Sequence, residues 1–454
     1  MKMKTDKGEY IIDKSISLIN PTVDIKQYYK LGILNESDVQ PDKRAFVKLT
    51  KEDVDNRLSN ANQLILEISQ DCNLRCGYCV HTGMYKGIRT HKPAKMSIKT
   101  AKKSIDYYLL FLFSKRRTRK LNDVWISFFG GEPLLEKEMI FEVIDYAKKK
   151  VESKFDIRFR LNTNGLLLKS DIVDKLIHEN IKIDISFDGP EDQHDKFRKL
   201  KSGEGSWKHI MKNVKYIKET YPSFYKSNIK FQLTLHPYHD IKTIHDFFLE
   251  TSDFFNSDNL IINHFRIDDR LNVPRSEYEK LISGQEFLWK AVDQHFNKKK
   301  WFYWKFGIAN IEIKEVKKPT RIHGTNMTYT GTCSFVEDQM FVNAQGKIKL
   351  CEKASEFFIG DVYDGLDIDL LIDLDYRWKK EVQKSKCWEC QIKFLCPQCF
   401  EKGINEKTGE VCINKERCNA FIPAILQSHN EYFRYQEMTT SYSEDNFNDF
   451  MESI

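Results

Sequence analysis

Residues 63–79 read QLILEISQDCNLRCGYC, and this stretch decides the fold expected for the chain. Its first part, residues 64–69, is apolar enough to predict a buried strand. The loop that follows carries Cys72, Cys76 and Cys79, with gaps of three and two residues. Three thiolates in this spacing can hold three corners of a cubane iron–sulfur cluster and leave the fourth iron open to a small molecule. Zinc is the alternative, for which His81 is the nearby candidate for a fourth ligand.

Strand and helix patterns alternate along the chain from this point. Six segments predict strands: residues 64–69, 124–129, 155–161, 181–187, 229–235 and 260–267. Each is followed by a helical pattern of apolar residues, and Ser170 is expected to cap the helix after the third strand. Six strand–helix units in succession predict an α/β fold with a parallel sheet and right-handed crossovers, either open or curled into a partial barrel.

The third, fourth and fifth strands alternate apolar and polar residues, although parallel strands buried on both faces are normally apolar throughout. The polar positions are Arg158, Arg160, Asn162, Asp184, Ser186, Asp188, Gln232, Thr234 and His236. If the apolar positions pack under the helices, the polar ones line a cavity on the other side of the sheet, with room for a cofactor and a substrate. A half-solvated sheet without a site is the alternative.

The composition is that of an ordinary globular protein. The chain has 454 residues and a net charge of +6, too small an excess to argue for nucleic acid. We expect a cytoplasmic protein, because the sequence shows neither an apolar signal segment nor an apolar run that could span a bilayer. Three of the eleven cysteines lie at 72–79 and eight at 333–418. In a reducing compartment, such clustering favours metal or cluster ligation over disulfides.

The cysteine loop, with the aromatic Tyr78 before its last cysteine, resembles the signature of the radical S-adenosylmethionine (radical SAM) superfamily, over roughly residues 63–270. The resemblance implies a partial (β/α)6 barrel, SAM as a cofactor and a [4Fe–4S] cluster held by Cys72, Cys76 and Cys79. It also implies contacts to SAM at Gly130, Gly131, Glu132, Asn162, Asn164, Ser186 and Asp188. The implied chemistry is reductive cleavage of SAM to a 5′-deoxyadenosyl radical that abstracts a substrate hydrogen.

Eight further cysteines occupy the C-terminal region. They are Cys333, Cys351, Cys387, Cys390, Cys396, Cys399, Cys412 and Cys418. Their spacing alone is also compatible with a zinc ribbon. The region resembles the SPASM extension of radical SAM enzymes, which implies two auxiliary [4Fe–4S] clusters. By that resemblance, one cluster uses Cys333, Cys351 and Cys399, and the other uses Cys387, Cys390, Cys396 and Cys418. Cys412 is left over, or fills an open iron of the first.

The expected domain organisation has five parts. Residues 1–62 form an N-terminal extension with a possible role in docking a leader peptide, 63–300 the radical SAM core, 301–330 a linker, 331–428 the SPASM domain and 429–454 a C-terminal tail. The basic run at residues 115–120 suits either contact with an acidic leader or a solvated helix end.

These features predict an oxidoreductase that installs an intramolecular thioether or carbon–carbon crosslink in a ribosomally synthesised precursor peptide. Its partners would be that peptide with its leader and a low-potential electron donor such as ferredoxin or flavodoxin, with no membrane and no nucleic acid. Two alternatives stay open. One is an anaerobic sulfatase-maturating enzyme, disfavoured because Gln339 stands where those enzymes carry an additional cysteine. The other is a zinc-dependent binding protein.

Overall fold

The computed structural model describes residues 2–4, 9–11, 46–114, 123–151, 155–255, 259–267, 270–296 and, with short gaps, 336–419. Packing divides the chain into two units. The core unit comprises Lys51–Phe306 and Phe335–Leu370; the second comprises Met1–Thr50, Gly307–Ser334 and Leu371–Ile454. Four features expected from the sequence lie outside the described residues: Cys333, the linker at 301–330, the basic run at 115–120 and the tail at 429–454. The five domain boundaries stay predictions.

An eight-stranded sheet forms the centre of the core unit. The second unit contains a short N-terminal hairpin of β1 (Lys2–Lys4) and β2 (Glu9–Ile11). Six parallel strands cross the sheet in chain order: β3 (Gln63–Ser69), β4 (Asp123–Gly130), β5 (Asp156–Thr163), β6 (Lys182–Ser186), β7 (Ile229–Leu235) and β8 (Leu260–His264). These confirm the six predicted strands.

Two strands that the sequence did not predict extend the sheet beyond β3. β9 (Gln339–Val342) runs parallel to β3, with Gln339 paired to Gln63, and β10 (Ile348–Lys349) runs antiparallel to β9. A small ribbon of β11 (Gly360–Asp361) and β12 (Gly365–Leu366) follows. A segment within the expected SPASM domain (residues 331–428) therefore completes the edge of the main sheet.

Helices connect the strands, as the alternating pattern predicted. They are α1 (Lys51–Asn60), α2 (Ile98–Leu112), α3 (Lys137–Val151), α4 (Ser170–His178), α5 (Glu191–Phe197), α6 (Trp207–Thr220), α7 (Pro222–Asn228), α8 (Ile241–Glu250), α9 (Arg275–Phe296) and α10 (Ile368–Lys384). The predicted cap of α4 was wrong, because Ser170 is already the first helical residue, and Lys169 precedes it without a side-chain hydrogen bond. Among the described helices, none is long and apolar enough to cross a membrane.

The two faces of the sheet differ as the alternation predicted. The apolar positions of β5, β6 and β7 are buried; they include Phe159, Leu161, Ile183, Ile185, Phe231 and Leu233, each at most 2% exposed. The opposite positions carry Arg160, Asn162, Ser186, Gln232 and Thr234, which are partly exposed. We call the second set, together with Trp125 and Asp184, the polar face. The buried apolar side chains thus anchor the sheet, while the polar face stays open to solvent or a ligand.

Candidate functional site

The cysteine loop leaves β3 and is held in place by backbone hydrogen bonds. The amides of Arg75 and Gly77 donate to carbonyls within residues 197–199 at 2.7 and 2.9 Å. Cys79 stands at the start of a short 3-10 turn, where its Sγ accepts a hydrogen bond from the amide of His81 at 3.5 Å. Hydrogen bonds to residues 197–199 and within the loop therefore fix its conformation.

The three thiols of this loop lie close enough for their charges to interact. Burial raises the pKa of Cys76 to about 12, and the charges of Cys79 and Cys72 add to the rise. Burial likewise raises the pKa of Cys72 to about 11. Three thiolates are therefore unfavourable here without a cation, and the irons of a cluster would supply that positive charge. Donors to sulfur are also present, because Cys72 Sγ accepts from the amide of Leu74 at 3.4 Å and from Asn164 Nδ2 at 3.6 Å.

A single metal ion and a cubane cluster place different demands on three thiolates. Over the described parts of the chain, no three His, Cys, Asp or Glu side chains converge as ligands of one metal ion. A cubane binds each thiolate through a different iron, so its ligands stand farther apart. His81, the candidate fourth zinc ligand, is buried with its Nδ1 3.3 Å from the carbonyl oxygen of Arg89. The donor set fits a cluster held by Cys72, Cys76 and Cys79.

The glycine pair after β4 packs directly against this loop. The amide of Gly131 donates to the Ser69 carbonyl at 2.7 Å. A Cβ on Gly131 would lie 2.1 Å from the carbonyl oxygen of Asp71, and one on Gly130 would lie 2.1 Å from that of Ser69. Only glycine permits so close a backbone approach. The pair therefore brings the end of β4 to the first cysteine.

Glu132, the residue after the glycine pair, is buried and accepts three hydrogen bonds. Its Oε1 accepts from the amide of Leu134 at 3.1 Å and the hydroxyl of Thr163 at 2.8 Å, and its Oε2 accepts from the amide of Asn164 at 2.8 Å. Burial raises the pKa of Glu132 to about 7, although these three bonds favour the charged form. The carboxylate thus ties the ends of β4 and β5 together, and the predicted contact of its oxygens with SAM stays a prediction.

The remaining predicted SAM contacts lie at neighbouring strand ends. Asn164 donates through Nδ2 to Asn73 Oδ1 at 2.7 Å, which links the end of β5 to the cysteine loop. Asn162 pairs with Asp184 in the sheet, and Ser186 ends β6 opposite Gln232. The parallel sheet therefore gathers these residues at one edge, beside the cysteines.

Asp188 lies at the centre of a buried hydrogen-bond network. It is completely buried, and its Oδ1 accepts from the amide of Thr234 at 2.9 Å. Arg198 donates to Oδ2 through Nε at 2.7 Å and to Oδ1 through Nη2 at 3.2 Å, and the Tyr78 hydroxyl also donates to Oδ2. Both oxygens are thus engaged by protein groups, so the predicted SAM contact, which no observation tests, would have to displace one of them.

Two residues of this network were missed by the sequence reasoning. Arg198 follows α5, and its guanidinium lies 5.3 Å from the centre of the Tyr78 ring. His194 accepts from the amide of Asp188 through Nδ1 at 3.2 Å, and its Nε2 lies 3.0 Å from Ser206 Oγ. Burial lowers the pKa of His194 to about 3, so it is neutral. The only hint in the sequence was the density of polar residues after the fourth strand.

The polar face presents a cationic side chain held on an aromatic ring. The guanidinium of Arg160 lies 4.9 Å from the centre of the Trp125 ring. Its Nε is 3.8 Å from Asp184 Oδ2, which also accepts from Gln232 Nε2 at 3.2 Å. Burial raises the pKa of Asp184, while the charges of Arg160 and Lys230 oppose that rise. This face can therefore contact polar or charged groups of a substrate.

Four of the C-terminal cysteines gather within the second unit. Burial raises the pKa of Cys387 to about 12, and the charges of Cys396, Cys418 and Cys390 raise it further. Cys412, by contrast, is exposed. The gathered four are the set that the SPASM resemblance implied for one auxiliary cluster. Of the other predicted ligands, Cys351 is partly buried in the core unit and Cys399 partly buried in the second.

Comparison with known proteins extends these observations. Residues 66–250 match the family model described as Radical SAM superfamily. The chain is 25% identical over 403 residues to the radical SAM cyclopropyl synthase TigE of Paramaledivibacter caminithermalis, which covers 84% of this chain and 78% of TigE. It is 28% identical over 165 residues to a cysteine-type anaerobic sulfatase-maturating enzyme of Clostridium novyi, covering 35% of this chain and 41% of that enzyme.

A solved structure shares the fold. Native anSMEcpe with bound AdoMet and Kp18Cys peptide matches with a TM-score of 0.54 at 18% identity, over 82% of this chain and 96% of that one. The predicted fold class is confirmed: a partial (β/α)6 barrel followed by a cysteine-rich SPASM domain.

Proposed function

Since this chain belongs to the radical SAM superfamily, we propose that it closes an intramolecular crosslink within a ribosomally synthesised peptide, and that the bond formed is carbon–carbon rather than thioether. As a member of that family, the chain uses SAM and a [4Fe–4S] cluster. When bound, they supply one-electron chemistry that removes a hydrogen atom from the substrate. Cys72, Cys76 and Cys79 would hold the cluster.

The likeness to TigE carries the proposal. It extends over 84% of this chain, so it is not confined to the 66–250 segment that the family shares. A cyclopropyl synthase joins two carbons of one molecule, which is the carbon–carbon branch of the expected chemistry. The thioether branch depends on an open iron in the first auxiliary cluster, and its expected ligand Cys333 lies outside the described residues.

The polar face supports a peptide as the substrate. Trp125 offers an apolar ring, Arg160 a guanidinium and Asp184 a carboxylate. The guanidinium lies 4.9 Å from the centre of the Trp125 ring, and its Nε lies 3.8 Å from Asp184 Oδ2. A peptide presents backbone amides, carbonyls and side chains of both polarities, and such groups match this mixture. In the solved structure with a similar fold, a peptide is bound together with AdoMet.

The second cysteine set supplies a place for a further electron carrier. Forming a crosslink removes two hydrogen atoms in all, so one electron must leave the substrate after the first hydrogen has been abstracted. Cys387, Cys390, Cys396 and Cys418 would hold an auxiliary cluster, whose chemistry is one-electron transfer. As part of the same proposal, residues 1–62 dock the leader of the precursor peptide, and ferredoxin or flavodoxin supplies the electron that reduces the cluster.

A sulfatase-type maturase is the second candidate, because such enzymes are among the relatives. Two observations weigh against it. Gln339, which replaces the additional cysteine, begins β9 and donates to Glu352 at 2.9 Å. The oxidation step of such an enzyme needs a carboxylate base near the substrate, and Asp188 is a poor candidate because both its oxygens are engaged by protein donors.

Anaerobic incubation of the reconstituted protein with SAM, dithionite and each short peptide encoded beside its gene tests the proposal. A carbon–carbon crosslink makes the peptide lighter by two hydrogen atoms and leaves its cysteines open to alkylation. A thioether gives the same mass loss but consumes one thiol, and a formylglycine reacts with hydrazides. The Cys76→Ala variant serves as the control, with no 5′-deoxyadenosine formed.

The outcomes separate the candidates. Loss of two hydrogens with all thiols still alkylated supports the proposal, whereas a hydrazide-reactive product supports the sulfatase-type reaction. If the wild type forms 5′-deoxyadenosine but leaves every one of these peptides unchanged, the proposed function is wrong.

A further inference from the structure

The segment after α5 lies along the cysteine loop and fixes the position of Arg198. Carbonyls on either side of Arg198, those of Phe197 and Lys199, accept from amides of the cysteine loop at 2.9 and 2.7 Å. An isolated antiparallel bridge between Leu74 and Leu200 continues this pairing. The backbone before and after Arg198 is therefore hydrogen-bonded to the cysteine loop.

The guanidinium of Arg198 is buried between the loop and Asp188. Its side chain is 8% exposed and that of Asp188 is 0% exposed, with 2.7 Å between Nε and Oδ2. The ring of Tyr78, inside the cysteine loop, lies 5.3 Å from the guanidinium carbon. The charge of Arg198 lowers the pKa of Cys76 and of Cys79 against the effect of burial. The cation therefore lies beside Tyr78, the residue that stands between Cys76 and Cys79 in the loop.

Arg198 pairs with the carboxylate of Asp188, while the histidines beside this pair carry no charge. The neighbouring His194 and His239 are buried, and burial lowers their pKa values to about 3 and about 4. They are neutral at physiological pH. Asp188 and Arg198 thus form a buried charge pair beside the cysteine loop.

We propose that Arg198, held by Asp188, raises the reduction potential of the cluster at Cys72, Cys76 and Cys79. A cluster gains one negative charge when it accepts an electron. A buried cation nearby stabilises that reduced state, and the effect is large where water is excluded. Arg198 is in this sense a positioning and tuning residue, and it touches no reacting atom of the substrate. The inference rests on the cluster assignment and needs none of the peptide chemistry proposed above.

A purely structural role for the pair predicts a different result. If Asp188 and Arg198 only support the loop, loss of either partner disturbs the cluster in the same way. If the charges matter, Arg198→Gln leaves the anion and lowers the midpoint potential, whereas Asp188→Asn leaves the cation and raises it. The sign of the shift therefore separates the two explanations.

The experiment is a potentiometric titration of each full-length reconstituted variant with dithionite, followed by EPR. The signal to follow is the one that changes on adding SAM, because only a cluster with an open iron responds to it. Iron content is measured alongside. Lys201→Gln is the matched control: Lys201 is also cationic and lies 3.2 Å from Asp71, next to the loop, but its side chain is 51% exposed. Solvent screens it, so its midpoint should equal that of the wild type.

Shifts of opposite sign in Arg198→Gln and Asp188→Asn, with Lys201→Gln unchanged, support the proposal. Shifts of the same sign, or none, overturn it. Either single variant leaves a buried charge unpaired and risks misfolding, so the double variant Asp188→Asn/Arg198→Gln is measured as well. It keeps hydrogen-bonding groups without charges, and its midpoint should lie below that of the wild type because the charge of Arg198 affects Cys76 more than that of Asp188 does. An unchanged midpoint in a folded double variant also overturns the proposal.

Discussion

Alanine at Gly131 should disable the site through a single backbone clash. The added Cβ would lie 2.1 Å from the carbonyl oxygen of Asp71 and 2.6 Å from its carbonyl carbon, where real Cβ atoms stay at least 3.0 Å away. These are backbone atoms, so no side-chain rotation relieves the contact. The turn after β4 and the cysteine loop must move apart by about 1 Å.

The size of the effect follows from what that movement breaks. The amide of Gly131 donates to Ser69 at 2.7 Å and that of Glu132 donates to Asp71 at 2.8 Å. Losing two such bonds, each with its donor left unsatisfied, costs about 2–6 kcal/mol. A misplacement of about 1 Å near the reacting groups can reduce a rate by about 100-fold. We therefore expect Gly131→Ala to be less stable by that amount and to form 5′-deoxyadenosine at least about 100-fold more slowly.

Gly77→Ala is the matched control, because it changes a glycine within the cysteine loop itself. Its Cβ would lie 3.6 Å from Phe197 Cδ1, an ordinary contact. Chemical denaturation and a dithionite-driven SAM cleavage assay are run on both variants, and Gly77→Ala should resemble the wild type. Wild-type rates and stability in Gly131→Ala would refute the close approach. An equal loss in Gly77→Ala would show that the loop tolerates no alanine, so that the clash is not the reason.

Three further predictions concern the supporting structure. The buried pair of Arg89 and Glu67 and the exposed pair of Lys102 and Glu142 both have an N–O distance of 2.6 Å. In urea unfolding, Arg89→Ala should lower the free energy of unfolding by about 3–5 kcal/mol, and Lys102→Ala should lower it by less than about 1 kcal/mol. Similar losses in the two variants would contradict the role of burial. Burial raises the pKa of Glu132 from 4.5 to about 7, so the folded chain keeps a proton that the unfolded chain releases. Wild-type stability should therefore fall by about 3 kcal/mol relative to Glu132→Gln as pH rises from 4.5 to 7, and parallel pH profiles would rule this out. Cys387→Ser should lose about four irons per chain, whereas Cys412→Ser, at an exposed position, should lose none; equal iron contents would argue against the gathered cysteine set.

The main elements of the fold were predictable because they depend on local patterns. Alternation of apolar residues with a period of two marks a strand with one buried face, and it identified β5, β6 and β7 together with the side on which each buries its residues. By contrast, β9 and β10 were missed. They are only four and two residues long. β9 becomes a strand because the edge of β3 offers backbone partners, and β10 because β9 does. Residues 339–349 contain no local pattern that identifies these partners.

The candidate site likewise combines features that local sequence patterns predicted with features that they did not. The cysteine spacing and the glycine pair are local features, and the structure brings both to the end of β3, although the SAM contacts stay predictions. Arg198 had no local signature, because its importance comes from Asp188, ten residues earlier, and from Tyr78, in a distant loop. The predicted contact of Asp188 with SAM stays a prediction, and the network around Asp188 was not foreseen from the sequence.

The order of the amino acids alone determined which residues can bind a cluster and where the strands run, since ligand type and periodicity are properties of short segments. The tertiary structure decided which charges meet the thiols, which oxygens of Glu132 and Asp188 are already engaged, and how close the backbone of Gly131 comes to Asp71. Those contacts join residues far apart in the chain. They exist only once the hydrophobic burial of the helices has drawn the strand ends together.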